Sequence, residues 1–388
     1  MIDVELYDWR IIMLLSMNSN HFENSSQPTH PRLCPRHPSA PKIIYKTSPG
    51  DFIVEELPAY EPTGTGTHTW LWVEKTGMTT HAVTRALAQK LHKNPLDAGI
   101  AGLKDAQAVT RQWITFENVT DTPDAITAFS DERLKILTVT RHANKLKMGH
   151  LRGNRFVLRI SAELSDSTAM PAADLLARVN AVFAILSRDG IPNYYGEQRF
   201  GNAGTNAAMG RLLVQGDVAG FETAMNAAGQ GRQIRDRKMR NLLVNAFQSE
   251  LFNKVLAARL PTIGTLLPGD LASLHRNSAV FKIATAEDVL KEQTRADAHE
   301  ISPSGPIFGP KMAQPEGAPG ELEARILLDA GVTLADFGRK EAEQQPGARR
   351  PLRIFFLEAP TANIDANDVV LRFALPSGSY ATEVLNEL

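Results

Sequence analysis

The stretch Ala101-Gly102-Leu103-Lys104-Asp105-Ala106-Gln107-Ala108-Val109-Thr110-Arg111-Gln112-Trp113 decides how the rest of the chain is read. Ahead of it, Leu96 to Leu103 mixes small and apolar residues. After it, Trp113-Ile114-Thr115-Phe116 has the character of a β-strand. Between the two, a cation and a carboxylate stand side by side, flanked by a glycine, small residues and hydroxyl groups. An Asp that follows a glycine-containing bend can aim its carboxylate into a cleft, and Lys104 beside it favours the ionised form. The same residue types suit a polar turn with a solvated Lys–Asp pair, which contributes little to stability. Composition alone favours the turn.

A chain of 388 residues accommodates two domains, or one large domain with an insertion. Its 43% hydrophobic content is that of a soluble globular protein. No apolar run approaches the roughly 20 residues that cross a bilayer. Cys34 is the only cysteine, which excludes a disulfide framework and a Cys-based metal site and fits a reducing, cytoplasmic setting. A monomer is expected. Net charge is −1, so a nucleic-acid partner must be held by local patches. Walker A, G-x-G-x-x-G and His-Glu-x-x-His sequences are absent, so neither metal nor cofactor is expected. No segment repeats at a period of 20–50 residues.

Residues 1–42 have the Asn-, Ser-, His- and Pro-rich composition of a disordered leader, with Met17 as an alternative start. Asp51–Glu56 and His68–Val73 alternate as strands. Thr79 or Thr80 caps a helix with Val83, Ala86, Leu87 and Leu91 on its apolar face, and Asn94-Pro95 stops it. From Arg133 to Ile160 there are eight Lys or Arg residues, Lys145, Lys147, Arg152 and Arg155 among them, and no Asp or Glu. A run so one-sided in a nearly neutral chain suits phosphate binding better than a merely solvated face. Gly149 and Gly153 suggest turns or bulges before the strand Phe156–Ile160. Pro171–Leu186 and about 241–260 are amphipathic helices, the second preceded by a basic cluster from Arg232 to Arg240. Ala284–Ala298 and Glu321–Leu328 have helical composition. Ser302–Pro310 is too rich in Pro and Gly for regular structure, Pro315–Gly320 is a further loop, and Ile354–Leu357 and Val369–Leu375 are strands.

Five separated segments resemble, in order, the motifs of the TruD family of tRNA pseudouridine synthases: Asp51–Glu56, Ala101–Gln112, Lys145–Phe156, Asn193–Gly201 and Leu375–Thr382. The resemblance implies an α/β chain of α+β type. It carries a pseudouridine synthase fold with a mixed, mainly antiparallel sheet and a TruD-specific inserted α/β domain. The catalytic domain would be discontinuous, residues 43–180 and 346–388, with the insertion at 181–345 and tRNA received between them. Asp105 would be the catalytic nucleophile, with Lys104 beside it as a substrate-binding residue. Phe52, Asn154, Phe156 and Tyr380 would line the uridine pocket, with Lys46 near it. Phe52 also reads as core, and Asn154 as a turn residue. Gln248 and Asn253 would brace the second long helix. The implied reaction is isomerisation of uridine to pseudouridine, at uridine 13 of the D-arm. The base must leave the RNA stack to be reached. A catalytically silent RNA-binding or chaperone protein on the same fold is the rival, disfavoured by the presence of Asp105. A metal-dependent nuclease would need clustered carboxylates, which the sequence lacks.

Overall fold

The computed structural model describes residues 30–34, 41–45, 47–201 and 204–388. The chain begins with β1 (Lys42–Tyr45), β2 (Phe52–Pro58), β3 (His68–Thr76), α1 (Thr80–Lys90), β4 (Gly99–Ile100), β5 (Val109–Glu117), α2 (Pro123–Thr127), β6 (Leu134–His142), β7 (Leu151–Glu163) and α3 (Ala172–Asp189). It continues through β8 (Ile191–Pro192), α4 (Thr205–Gln215), α5 (Val218–Ala227), α6 (Arg237–Arg259), β9 (Leu271–Leu274), β10 (Val280–Lys282), α7 (Ala286–Asp297), β11 (Ile301–Ile307) and α8 (Gly317–Ala330). It closes with β12 (Ala348–Pro351), β13 (Arg353–Ile354), β14 (Glu358–Asp365), β15 (Asp368–Pro376) and α9 (Ala381–Asn386).

The large sheet runs β14-β15-β7-β2-β5-β3-β6, with β1 also on β7 and β4 on β5. Among the described residues only β2 and β5 pair in parallel; the sheet is mixed and mainly antiparallel. Period-two alternation sorts each strand's side chains between two faces. On one face Phe52, Val54, Phe156, Leu158 and Phe373 meet Leu175, Val179, Val182, Phe183 and Leu186 of α3. Further along that face, Leu71, Val73, Ile114 and Phe116 meet Val83, Leu87 and Ala88 of α1. Burying side chains of this size contributes roughly 1.5–3 kcal/mol each before entropy, which is why the two helices lie where they do.

The opposite face carries a row of charge. Lys135, Glu74, Arg111, Glu55 and Arg155 occupy successive cross-strand positions. Each is ion-paired to the next, and Arg155 reaches past Ala374 to Glu358. Arg155 therefore does not stand free for phosphate as its place in the basic run suggested: it holds two carboxylates. Arg159, from the same run, is likewise held by Asp365 and Asp368.

The inserted part has its own core of Leu213, Phe221, Leu243, Phe247, Phe308 and Phe337, and its own sheet β10-β9-β11-β12. Two short strands, β8 and β13, pair where the chain leaves and re-enters the large sheet. α3 runs unbroken across 180/181. β12 is the edge strand of the smaller sheet, paired with β11.

Other differences have local causes. Ser302–Pro310 does contain regular structure: β11 is buried between β9 and β12, and Gly305 sits where a Cβ would lie within 3 Å of Leu352 and Phe252. The loop expected at Pro315–Gly320 ends early, since α8 begins at Gly317. Gly153 does stand at a bulge, where β7 shifts register against Leu57 and Pro58, and a Cβ there would strike the Leu375 carbonyl. Strand pairing resumes at Glu358, not at Ile354–Leu357, apart from the two residues of β13. The leader is not all outside the fold. His30 stacks on Tyr194 with ring centroids 4.6 Å apart. Leu33 N and Cys34 N donate to the Glu387 carboxylate at 3.2 and 2.7 Å. Lys42 is already in β1. Residues 1–29, 35–40 and Lys46 lie outside the described residues.

Candidate active site

The Asp105 loop lies between β4 and β5, on the sheet face that carries α1 and α3. Three polar contacts fix its approach. The Thr80 hydroxyl accepts from Lys104 N at 3.0 Å and donates to Gln112 Oε1 at 2.9 Å. The Gln112 amide donates to Gly102 O at 3.3 Å. Thr80 is the first residue of α1 because Thr79 caps the helix, its side chain accepting from Ala82 N. The cap therefore sets where the loop is anchored.

Asp105 is half-buried, and its Oδ1 accepts from Gln107 N at 2.9 Å, an Asx-type turn. Its backbone carbonyl accepts from Lys75 Nζ at 2.8 Å, and the same ammonium donates to Met78 O at 2.6 Å. Lys75 is fully buried. Burial lowers its pKa to about 8; the Asp105 charge opposes this and Lys104 adds to it.

Lys104 does not make the simple pair with Asp105 that adjacency suggested. Its Nζ is 3.1 Å from Glu56 and 2.8 Å from Asn154 Oδ1, with both charged side chains buried. Glu56 also accepts from Trp113 N at 3.3 Å. Burial pushes the Glu56 carboxyl up, against the pull of Lys104. A buried pair of this kind is weak evidence for net stability, but removing one partner strands the other. Asn154 is a strand residue opposite Glu56 and Leu375, not a turn residue.

Phe52 and Phe156 lie beside this network but inside the core, each 6% exposed, with ring centroids 6.2 Å apart. Phe156 is 5.6 Å from Phe373. The core use of Phe52 is thus realised, and neither ring offers an open stacking face in this structure. Tyr380 is half-buried, 6.4 Å from Tyr195, and burial raises its hydroxyl pKa. Its loop follows directly from Leu375, the residue opposite Asn154, so strand register brings it to the same end of the sheet. Arg350 braces it from the insertion, donating to Gly378 O at 3.2 Å while its guanidinium lies 4.2 Å from the Tyr195 ring centre.

Lys145 and Lys147 sit on the β6–β7 connection, which is tied to the Asp105 loop by Gly149 N donating to Ala101 O at 2.9 Å. Among the described residues, Lys145, Lys147 and Arg152 make no ion pair. In the second basic cluster, Arg237 and Arg240 both bind Glu343. Gln248 and Asn253 are buried braces, bonded to Phe308 O and to both backbone groups of Tyr195. No helix among the described residues is long and apolar enough to cross a membrane.

Motif reasoning gave no site role to Lys75, Glu56, Thr80 or Gln112, although Glu56 and Gln112 lie inside two of the motifs. Two had a visible signal. Continuing the alternation of Leu71 and Val73 puts Lys75 on the core face, and continuing Phe52 and Val54 does the same for Glu56. A charged residue at a core position of an alternating strand needs a partner.

The family profile of tRNA pseudouridine synthase D (TruD) matches residues 42–230 and 225–388. The tRNA pseudouridine synthase D of Geobacter sulfurreducens is 37% identical over 394 aligned positions, covering 89% of this chain and 93% of that one. That of Anaeromyxobacter dehalogenans is 41% identical over 345, covering 88% and 92%. A crystal structure from Methanosarcina mazei, provisionally assigned as a tRNA pseudouridine synthase D, superposes with a TM-score of 0.70 at 20% identity, covering 92% and 94%. At that identity the likeness speaks for the fold.

Proposed function

The chain belongs to the tRNA pseudouridine synthase D family, whose fold it has, and is an isomerase acting on tRNA; from that premise we propose that Asp105 is its nucleophile and uridine 13 of the D-arm its target. The observation that carries the assignment of Asp105 is its setting: a half-buried carboxylate on a loop locked at Lys104, Gly102 and its own carbonyl. Catalytic groups must be held to a fraction of an ångström, and this loop has the supports for that.

The reaction breaks the N1–C1′ bond of uridine, turns the uracil, and joins C5 to C1′; the C5 proton leaves to solvent and N1 gains one. No electrons enter or leave. A carboxylate assists either by adding covalently or by stabilising loss of uracil. Asn154 and Tyr380 supply an edge-reading amide and an aromatic face. Phe52 and Phe156 form the floor beneath and would meet the base only if the core opens to it. Lys104 acts by orienting Asn154. Lys46 retains its place near the pocket as a family-derived assignment. Lys145, Lys147 and Arg152 bind tRNA phosphates beside the loop, and Arg155 positions strands instead.

In domain terms, the large sheet with α1–α3, β14, β15 and α9 is the catalytic part, and the segment between Asp189 and Arg353 is the insertion that helps grip folded RNA. Incubating the protein with unmodified total tRNA and mapping pseudouridine by mass shift after selective labelling tests the assignment. Modification confined to uridine 13 is expected. Modification elsewhere overturns the position, and bound but unmodified tRNA overturns the enzymatic reading in favour of a silent RNA-binding protein.

A further inference from the structure

We propose that Lys75, a residue outside the five family motifs, is the positioning residue of the active site: its buried ammonium fixes the direction of the Asp105 carboxylate by holding the Asp105 carbonyl. This rests on Asp105 being the nucleophile.

The geometry separates two locks. Gln107 N on Oδ1 limits rotation about the Asp105 side chain. Lys75 Nζ on the carbonyl limits the backbone torsion that swings the whole side chain. The second bond, to Met78 O, ties the same ammonium to the turn that leads from β3 into α1. Since α1 begins at Thr80, which holds Lys104 N, both ends of the support meet at Lys75 and Thr80. Leu71 and Val73 fill the preceding positions on that face, and a fully buried ammonium is costly unless it is bonded.

The groups around it define how it responds to pH. Leu134 and Thr110 are its cross-strand neighbours and carry no charge. The charged groups facing it are Asp105, which favours the ammonium, and Lys104, which opposes it. With burial dominant, the proton is lost near pH 8. A neutral amine keeps two N–H groups, but a hydrogen bond from a charged donor is about twice as strong, and the attraction to Asp105 disappears with the charge. Rate and stability then move in opposite directions. A lysine whose pKa is lowered on folding destabilises the fold while protonated, so its contribution to stability improves between pH 8 and its ordinary 10.5. The catalytic rate falls over the same range.

The test is steady-state release of tritium from C5-labelled uridine across a tRNA titration, measured from pH 6.5 to 9.5 alongside thermal unfolding. Wild type is expected to lose rate above about pH 8 with no matching fall in melting temperature. Lys75→Met is expected to lower kcat about tenfold to a hundredfold, the scale of a roughly 1 Å misplacement, with KM within about twofold. Its alkaline limb should be gone. A wild-type rate that stays level to pH 9.5 overturns the proposal, as does an unchanged kcat or an unchanged alkaline limb in Lys75→Met. If Lys75→Met does not fold, the wild-type pair of curves decides. Asp105→Asn measured in the same assay separates the two claims: full activity there removes the nucleophile, whatever Lys75 does.

Discussion

Replacing Lys104 by Met should destabilise the protein in a pH-dependent way that identifies Glu56 as the cause. The ammonium is 3.1 Å from Glu56, and neither side chain reaches water. Met fills much of the lysine's volume, so the main loss is electrostatic. Without its partner, Glu56 stays buried only by taking up a proton. Holding a proton at pH 7 on a carboxyl whose ordinary value is 4.5 costs about 3.4 kcal/mol, the upper bound of the loss relative to wild type, where burial already raises this carboxyl. This agrees with the roughly 3–5 kcal/mol typical of a broken buried pair. The sign follows from linkage: the variant's Glu56 binds its proton only when folded, so stability falls as pH rises above 4.5. The penalty should shrink to about 2 kcal/mol at pH 6 and continue to fall below that. Urea unfolding at pH 5.5, 6 and 7 measures it. Adding Glu56→Gln, which keeps an acceptor for Trp113 N, should restore most of the loss. A penalty that is the same at all three pH values, or survives in the double variant, refutes the reasoning.

Three further outcomes follow from other parts of the molecule. Burial pushes the Glu383 carboxyl up to about 8, Asn386 opposing and Glu387 and Glu197 adding. Its contribution to stability is therefore intact below pH 4.5 and is lost as pH rises through 8, at up to about 1.4 kcal/mol per unit. Glu383→Gln should flatten that part of the stability profile; an unchanged slope between pH 5 and 8 would count against it. Changing Lys145, Lys147 and Arg152 to Ala should weaken tRNA binding and reduce the log–log salt slope by about one unit for each phosphate no longer neutralised. Arg155→Ala, which breaks pairs with Glu55 and Glu358, should leave the slope unaltered and lower stability instead.

Much of the sheet was legible because its strands alternate and end in recognisable caps and turns. Thr79, Asn94 and Pro171 each stand where a helix or turn starts. β11 was not legible, since Pro303, Gly305 and Pro306 contradict strand propensity and only packing between two neighbours retains them. β14 has a polar pattern that gains meaning only beside β15. At the site, the position of Asp105 could be found from its motif, but the direction of Lys104 could not. Glu56 is 48 residues away in sequence and arrives through β2–β5 pairing. Arg155 shows the same limit: its row of partners comes from five other strands, so a one-dimensional count of basic residues assigned it to RNA. His30–Cys34 was hidden by composition, because its order depends on Tyr194, Asn253 and Glu387 far along the chain.

The most direct measurement is pseudouridine formation by Asp105→Asn on a tRNA bearing unmodified uridine 13. The carboxamide keeps an oxygen for Gln107 N, and the Lys75, Thr80 and Gln112 supports are untouched. Folding and tRNA affinity should therefore stay near wild type, while tritium release from C5 falls to background. Conversion at a near-wild-type rate by this variant would contradict the assignment of Asp105 as the nucleophile.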